Sequence, residues 1–250
     1  MKVVVVGASG MMGSKIVRSL ERDGQVVVEA SSKLGVNALT GEGLDAAFQG
    51  ADVVIDVTNS GSFGDGNALA FFKLAGKNML SAAKRAGVQH YLSLSVVGAD
   101  SLVENDYFRA KLVQENLIRA SGLRHTIVRS TQFFEFFGGI VNASALEGAL
   151  RVPALRLQPV AAEEAARWVA KLAAEKPCNS IVEIGGPEPA ELVDLAREFL
   201  TITEDSRPAS VDPDALYFGV SIIQDGLLPK SKMVSGKLTF HDWLSRTVYA

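Results

Sequence analysis

The sequence predicts an α/β protein: a doubly wound parallel sheet covered by helices. Three observations carry that expectation. Apolar runs of strand length alternate with segments of helical period, the mark of successive strand–helix–strand units. A glycine cluster, Gly7 to Gly13, stands between the first strand and the first helix. The length, 250 residues, suits one large domain or one domain with a small annex, and buries a full core without a disulfide or a metal.

In order, Val3–Val6 is the first strand, a continuous apolar run that ends in glycine. Met12–Arg22 is the first helix, with Ile16, Val17 and Leu20 at helical spacing and Asp23-Gly24 as its stop. Val26–Ala30 is the second strand. Val36–Leu39 is a short third one, against which Gly41-Glu42-Gly43 argues. Val53–Val57 is unbroken and apolar, a buried central strand. Ala68–Ala86 is a long helix that turns Leu69, Phe72, Leu80 and Ala83 inward and ends at Gly87. The strand Tyr91–Val97, the helix Tyr107–Ser121 and the strand His125–Arg129 follow. Beyond Arg129 the rhythm loosens. Phe133–Leu146, Glu163–Ala174 and Glu191–Leu200 read as helices, Ile181–Ile184 as a late strand, and 207–229 as irregular. Residues 1–150 form the expected nucleotide-binding-type core, with 151–250 a smaller C-terminal part packed on it as a single compact unit.

Lys+Arg 25 against Asp+Glu 28 gives a net charge of −3, which argues against nucleic acid or an anionic membrane as partner. A lone cysteine, Cys178, excludes an intramolecular disulfide and a thiolate-rich zinc site. His90, His125 and His241 lie far apart, so no metal is expected. The apolar run after Met1-Lys2 is too short for a signal peptide or for a membrane span of about 20 residues, and a soluble cytoplasmic protein is the expectation.

Gly7-Ala8-Ser9-Gly10-Met11-Met12-Gly13 has the spacing G-x-x-G-x-x-G. One glycine makes a sharp turn, one lets backbone N–H groups approach a pyrophosphate, and one lets the helix pack close on the strand. The helix start then offers unpaired donors and the positive end of its dipole. A tight turn without ligand is the plainer alternative. The second strand runs out through Glu29-Ala30-Ser31-Ser32-Lys33. Hydroxyls and an ammonium there suit the 2′-phosphate of NADP, whereas a NAD site carries an acid at that place, and Glu29 falls two or three residues early. Lys33 is otherwise an ordinary solvated lysine.

Tyr107 and Lys111 stand at i and i+4, on one helix face. A nearby ammonium lowers a phenol's pKa and suits it to proton transfer at a carbonyl receiving hydride. The plainer reading leaves Tyr107 half-buried and pairs Lys111 with Glu115.

At this point the chain resembles the short-chain dehydrogenase/reductase superfamily, and within it the atypical NmrA-like NAD(P)-binding branch. The residues carrying the resemblance are Gly7–Gly13, Asp52–Asn59, Ser93–Gly98, Tyr107–Lys111 with Glu115, Thr126–Arg129 and Glu183–Glu188. It implies a Rossmann-type sheet with a small C-terminal substrate cap. Gly7, Ala8, Ser9, Gly10, Met11, Met12 and Gly13 would line the pyrophosphate and adenosine, and Ser31, Ser32 and Lys33 the 2′-phosphate. Thr58, Asn59 and Ser60 would sit beside the cofactor's ribose and phosphates, and Ser130, Thr131, Gln132 and Phe133 would border nicotinamide and substrate. Lys111 would hold the nicotinamide ribose and Tyr107 would give the proton. The superfamily's catalytic hydroxyl ends the strand Tyr91–Val97. Ser95, the nearest hydroxyl, is the candidate for that catalytic role; the alternative alignment on the strand puts the position at Val96, leaves the triad incomplete and makes Ser95 a backbone partner.

Phe133-Phe134-Glu135-Phe136-Phe137 offers either an apolar wall for a planar substrate or a helix packed on the core. Trp168 reads as a core contact, and Ser60–Gly66 as a flexible loop able to close over cofactor. The resulting expectation is an oxidoreductase that uses NADP(H), or less readily NAD(H), to pass hydride to a small carbonyl, quinone or enone, as a monomer or homodimer. The rival from another class is a redox sensor of NmrA type that binds NAD(P) without turnover. A nucleotide-sugar epimerase or lyase is disfavoured, because such members usually carry a larger C-terminal domain.

Overall fold

In the computed structural model, residues 1–61, 67–230 and 233–248 are described. The loop expected over Ser60–Gly66 lies, from 62 to 66, outside them. The elements run β1 (Lys2–Val6), α1 (Met11–Arg22), β2 (Val26–Ala30), α2 (Leu44–Phe48), β3 (Val53–Asp56), α3 (Asn67–Arg85), β4 (His90–Val96), α4 (Asp106–Ala120) and β5 (His125–Ser130). They continue with α5 (Phe137–Ala143), β6 (Ala145–Leu146), β7 (Ala149–Val152), β8 (Arg156–Leu157), α6 (Ala162–Ala174), β9 (Ser180–Gly185), β10 (Ala190–Glu191), α7 (Leu192–Ile202), β11 (Ala209–Val211), β12 (Met233–Ser235) and α8 (Phe240–Val248).

The central sheet has seven strands in the order β12-β9-β5-β4-β3-β1-β2 and is parallel, a Rossmann-type α/β fold. Its direction of winding reverses between β1 and β3, the switch point where doubly wound sheets bind ligands at their carboxyl ends. Val3 aligns with Val27 of β2 and with Val53 of β3, so three apolar runs meet in register. Strands buried on both faces need such continuous runs, and Val3, Val4 and Val5 are fully buried.

Two of the expected elements differ. Val36–Leu39 is no strand: the Asn37 side chain accepts from the Leu39 backbone N–H at 2.9 Å, and that turn chemistry outcompetes pairing. The helix expected over Phe133–Leu146 is broken into a single 3-10 turn, Phe134–Phe136, then α5 and β6. Glu147 and Gly148, at φ 49° and 79°, then turn the chain back into β7.

The chain divides into two compact units, 1–129 with 166–182, and 130–165 with 183–250. The first has a mainly aliphatic core that includes Val4, Val6, Leu44, Val54, Met79 and Ile127, with Phe48 and Tyr91 among them. The second is centred on aromatic side chains: Phe137 lies 4.6 Å from Phe240 and 5.7 Å from Phe199, centroid to centroid, and Phe134 lies 5.5 Å from Trp243. Thus Phe134 and Phe137 are core residues, while Phe133 and Phe136 stay half-buried. Among the described residues no helix is long and apolar enough to cross a membrane.

Candidate active site

The glycine loop is built by close approach. Gly7 has φ 92°, which disfavours any side chain, and a Cβ there would lie 2.9 Å from Val57 O. A Cβ at Gly13 would collide with Gly7 O and lie 2.7 Å from Ala8 Cα, so α1 packs directly on the turn. Gly7 and Ala8 donate backbone N–H groups to Ala30 O at 2.8 and 3.3 Å, tying the loop to the end of β2. Gly10 is the N-cap of α1, with no side-chain cap and no acidic residue in the first turn. Ser9, Gly10 and Met11 are exposed, while Ala8, Met12 and Gly13 are buried. The first turn of α1 therefore presents backbone donors with no side chain to cap them, which suits an anion.

At the end of β2, Ser31 is buried, and its Oγ has no hydrogen-bond partner among the described residues. Ser32 and Lys33 are exposed in a short 3-10 turn, and Glu29 is exposed one residue before the end of the strand. After β3, Thr58 is half-buried, Asn59 is exposed, and the Asn59 side chain accepts from Ser60 N at 3.0 Å. The cradle at Gly7 and Gly13, the uncapped helix start and the orphaned Ser31 hydroxyl together fit a dinucleotide.

Below this rim lies a polar network absent from the sequence reading. Asp56, 1% exposed, accepts from Thr58 N at 3.0 Å and Thr58 Oγ1 at 2.7 Å on one oxygen. Its other oxygen accepts from Tyr91 OH at 3.1 Å and Gln114 Nε2 at 2.8 Å. Lys111 donates to Leu94 O at 2.7 Å and to Gln114 Oε1 at 2.5 Å, and its ammonium lies 4.5 Å from the Phe72 ring centre. Burial draws the Lys111 pKa down to about 8, against the opposing pull of Asp56 and Glu115.

Asn105 caps α4, accepting from Tyr107 N at 2.9 Å and Phe108 N at 3.3 Å, and so sets where Tyr107 emerges. The Tyr107 ring meets Phe72 and Phe108 edge-on at 6.3 and 6.0 Å. Burial pushes its phenol up to about 12, opposite to the lowering expected from a neighbouring ammonium. The i, i+4 pairing of Lys111 with Glu115 is not made. Glu115, fully buried, is instead gripped by Arg129 through two bonds of 2.8 and 2.9 Å and by Arg119 at 2.8 Å. Ser95 Oγ donates to the same carboxylate at 2.7 Å. Sequence spacing pointed to Tyr107 and Lys111 but not to their neighbours Asp56, Tyr91 and Gln114. The available signal was an acid closing the apolar run Val53–Asp56 and a glutamine three residues after Lys111.

The second unit holds the residues after β5. Thr131 donates through N to Ile184 O at 2.8 Å and through Oγ1 to Gln158 O at 2.7 Å. Ser130 Oγ and Gln132 Oε1 are buried without a hydrogen-bond partner among the described residues.

Residues 7–136 match the family described as NAD(P)H-binding. The chain belongs to that NAD(P)H-binding family. The matched span, just over half of the chain, takes in the glycine loop, Ser31–Lys33, Thr58, Tyr107, Lys111 and Gln132. The family assignment agrees with the NAD(P)-binding expected from the glycine loop, and the sheet agrees with the expected Rossmann-type fold. Among curated proteins, this NAD(P)H-binding protein is 26% identical over 149 residues to the photosystem II assembly factor Ycf39 of Cyanophora paradoxa, covering 54% of this chain and 46% of that one. It is 25% identical over 223 residues to the chloroplastic divinyl chlorophyllide a 8-vinyl-reductase of Arabidopsis thaliana, covering 74% and 53%. The chain thus spans about half the length of these curated relatives.

Among solved structures, the fold is similar to UDP-glucose 4-epimerase of Thermotoga maritima, with TM-score 0.73, 15% identity, and coverage of 100% of this chain and 98% of that one. It is also similar to a short-chain dehydrogenase/reductase superfamily protein of Agrobacterium tumefaciens with bound NAD, with TM-score 0.72, 14% identity and coverage of 100% and 96%.

Proposed function

We propose that this protein is an NADPH-dependent oxidoreductase that reduces a small carbonyl, quinone or enone. The observation that carries the reading is the exposed, uncapped first turn of α1, packed on Gly7 and Gly13 at the switch point of the sheet. When bound, the cofactor supplies hydride. The backbone donors of Ser9–Met12 hold its pyrophosphate, Thr58, Asn59 and Ser60 line the ribose side, and Ser130–Phe133 border the nicotinamide and substrate. Ser31, Ser32 and Lys33 answer the 2′-phosphate, and the unpartnered Ser31 hydroxyl with the exposed Lys33 supports NADP over NAD. Tyr107 gives the proton. Its phenol, raised to about 12 by burial, is protonated at neutral pH, as a donor must be, and is a weaker acid than a free tyrosine. Lys111 supports Tyr107 and the ribose. Ser95 spends its proton on Glu115, so its part here is to hold Glu115 in place. A relative named divinyl chlorophyllide a 8-vinyl-reductase supports the reductase reading.

A second reading, an NAD(P)-binding regulator without turnover, rests on the inward bonding of Lys111 to Leu94 O and Gln114. One relative is named as an assembly factor rather than as an enzyme. Titration with NADPH and NADH, followed by NADPH oxidation over quinones, aldehydes and enones, separates the two. The reductase predicts tighter NADPH binding and turnover with at least one acceptor class. Tight binding with no turnover on the whole panel supports the regulator.

A further inference from the structure

The second unit contains a strained aromatic element that the cofactor reading does not use. Tyr217 N donates to Val220 O at 2.9 Å and Val220 N to Tyr217 O at 3.2 Å, closing a two-residue hairpin over Phe218-Gly219. Both central residues have positive φ, 47° and 83°, the geometry that ordinarily selects Asn-Gly. A phenylalanine in the left-handed region is strained, and such strain persists where the side chain is wanted in that place. Here it stacks the half-buried Phe218 ring on Phe136, at 6.3 Å between centroids and 24° between planes. Tyr217 meets Phe218 edge-on at 4.9 Å.

The same hairpin reaches the polar residues after β5. Tyr217, buried, is hydrogen-bonded to the Gln132 side chain, and burial raises its phenol pKa. Gln132 is 8% exposed, yet its Oε1 has no partner among the described residues, and neither does Ser130 Oγ two residues earlier. A buried acceptor left unmatched is costly unless a ligand donor meets it. Stacked rings beside an unmatched acceptor form the combination that recognises a flat molecule with a donor on its edge.

The geometry points to Phe136, Phe218 and Gln132 as the recognition element for a planar conjugated ring bearing an edge hydroxyl or N–H group. This deepens the oxidoreductase reading, and rests on it, by narrowing the acceptor to ring compounds such as hydroxylated quinones. Phe136 and Phe218 supply the stacking surface, and Gln132 Oε1 accepts from the ring's donor. The test uses redox-inert rings on the full chain: 2-naphthol, which carries the donor, and 2-methoxynaphthalene, which lacks it. Wild type is expected to bind 2-naphthol at least tenfold more tightly than the methoxy compound. Phe218→Gly suits the hairpin backbone, and is expected to weaken 2-naphthol binding at least tenfold with NADPH affinity unchanged. Gln132→Leu is expected to abolish the preference between the two rings. Unchanged 2-naphthol affinity in Phe218→Gly, or a retained preference in Gln132→Leu, would overturn the assignment. So would an absence of naphthol binding by protein that binds NADPH. Failure of the oxidoreductase reading appears separately, as failed NADPH binding or turnover.

Discussion

Lys111 shows how burial sets chemistry at a single residue. Its ammonium is enclosed by Leu94 O, Gln114 and the Phe72 ring, and its pKa falls to about 8. The unfolded chain keeps a lysine near 10.4, so between those values it binds more protons than the folded protein, and stability rises with pH. From pH 7 to about 9.5 the gain is of order 2 kcal/mol, present in wild type and missing in Lys111→Met when both are unfolded with urea. The window stops short of the Tyr107 titration, whose raised pKa acts in the opposite direction. Glu115 makes a second prediction. Removing a fully buried carboxylate from two arginines strands Arg129, and Glu115→Ala is expected to lose about 3–5 kcal/mol of unfolding free energy. A loss below about 1 kcal/mol would mean that water already reaches the pair. The spacing of Tyr107 and Lys111 was legible in the sequence because i, i+4 geometry is local. The network around them was not, because Asp56 of β3, which accepts from Tyr91 of β4, meets Gln114 of α4 only in the folded chain.

In the proposed site, α1 and α4 contribute through their first turns. Gly13 lets α1 sit on Gly7, and Gly13→Ala is expected to force the helix off the turn. The expected outcome is at least a hundredfold weaker NADPH binding, measured by fluorescence titration, with the far-UV spectrum retained. On α4, Asn105→Ala removes the cap at Tyr107 and Phe108, with an expected cost of about 1 kcal/mol in thermal or chemical unfolding. The parallel strands were readable because burial on both faces demands runs such as Val3–Val6 and Val53–Ile55. Val36–Leu39 misled because its apolar residues hide an Asn37 turn, which also passes the Ala38 and Leu39 carbonyls to Asn78 at 3.0 and 2.8 Å. Phe133–Leu146 misled because four of its aromatics follow helical spacing, whereas Gly138 and Gly139 and the turn at Glu147-Gly148 cut the helix short.

For the whole molecule, a net charge of −3 leaves no broad basic field, so a 2′-phosphate must be met locally. Lys33→Ala is therefore expected to weaken NADPH binding roughly tenfold and leave NADH binding within about twofold, the loss shrinking as salt is raised. Equal losses for both cofactors would remove Lys33 from the phosphate site. The proposed reductase joins a dinucleotide cradle on α1 to a proton donor on α4. Single-turnover oxidation of bound NADPH by a quinone acceptor, compared between wild type and Tyr107→Phe, tests that union most directly. Oxidation is expected in wild type, with a loss of at least a hundredfold in the variant and NADPH affinity unchanged. Equal rates in the two proteins, or tightly bound NADPH that no acceptor oxidises, would contradict it.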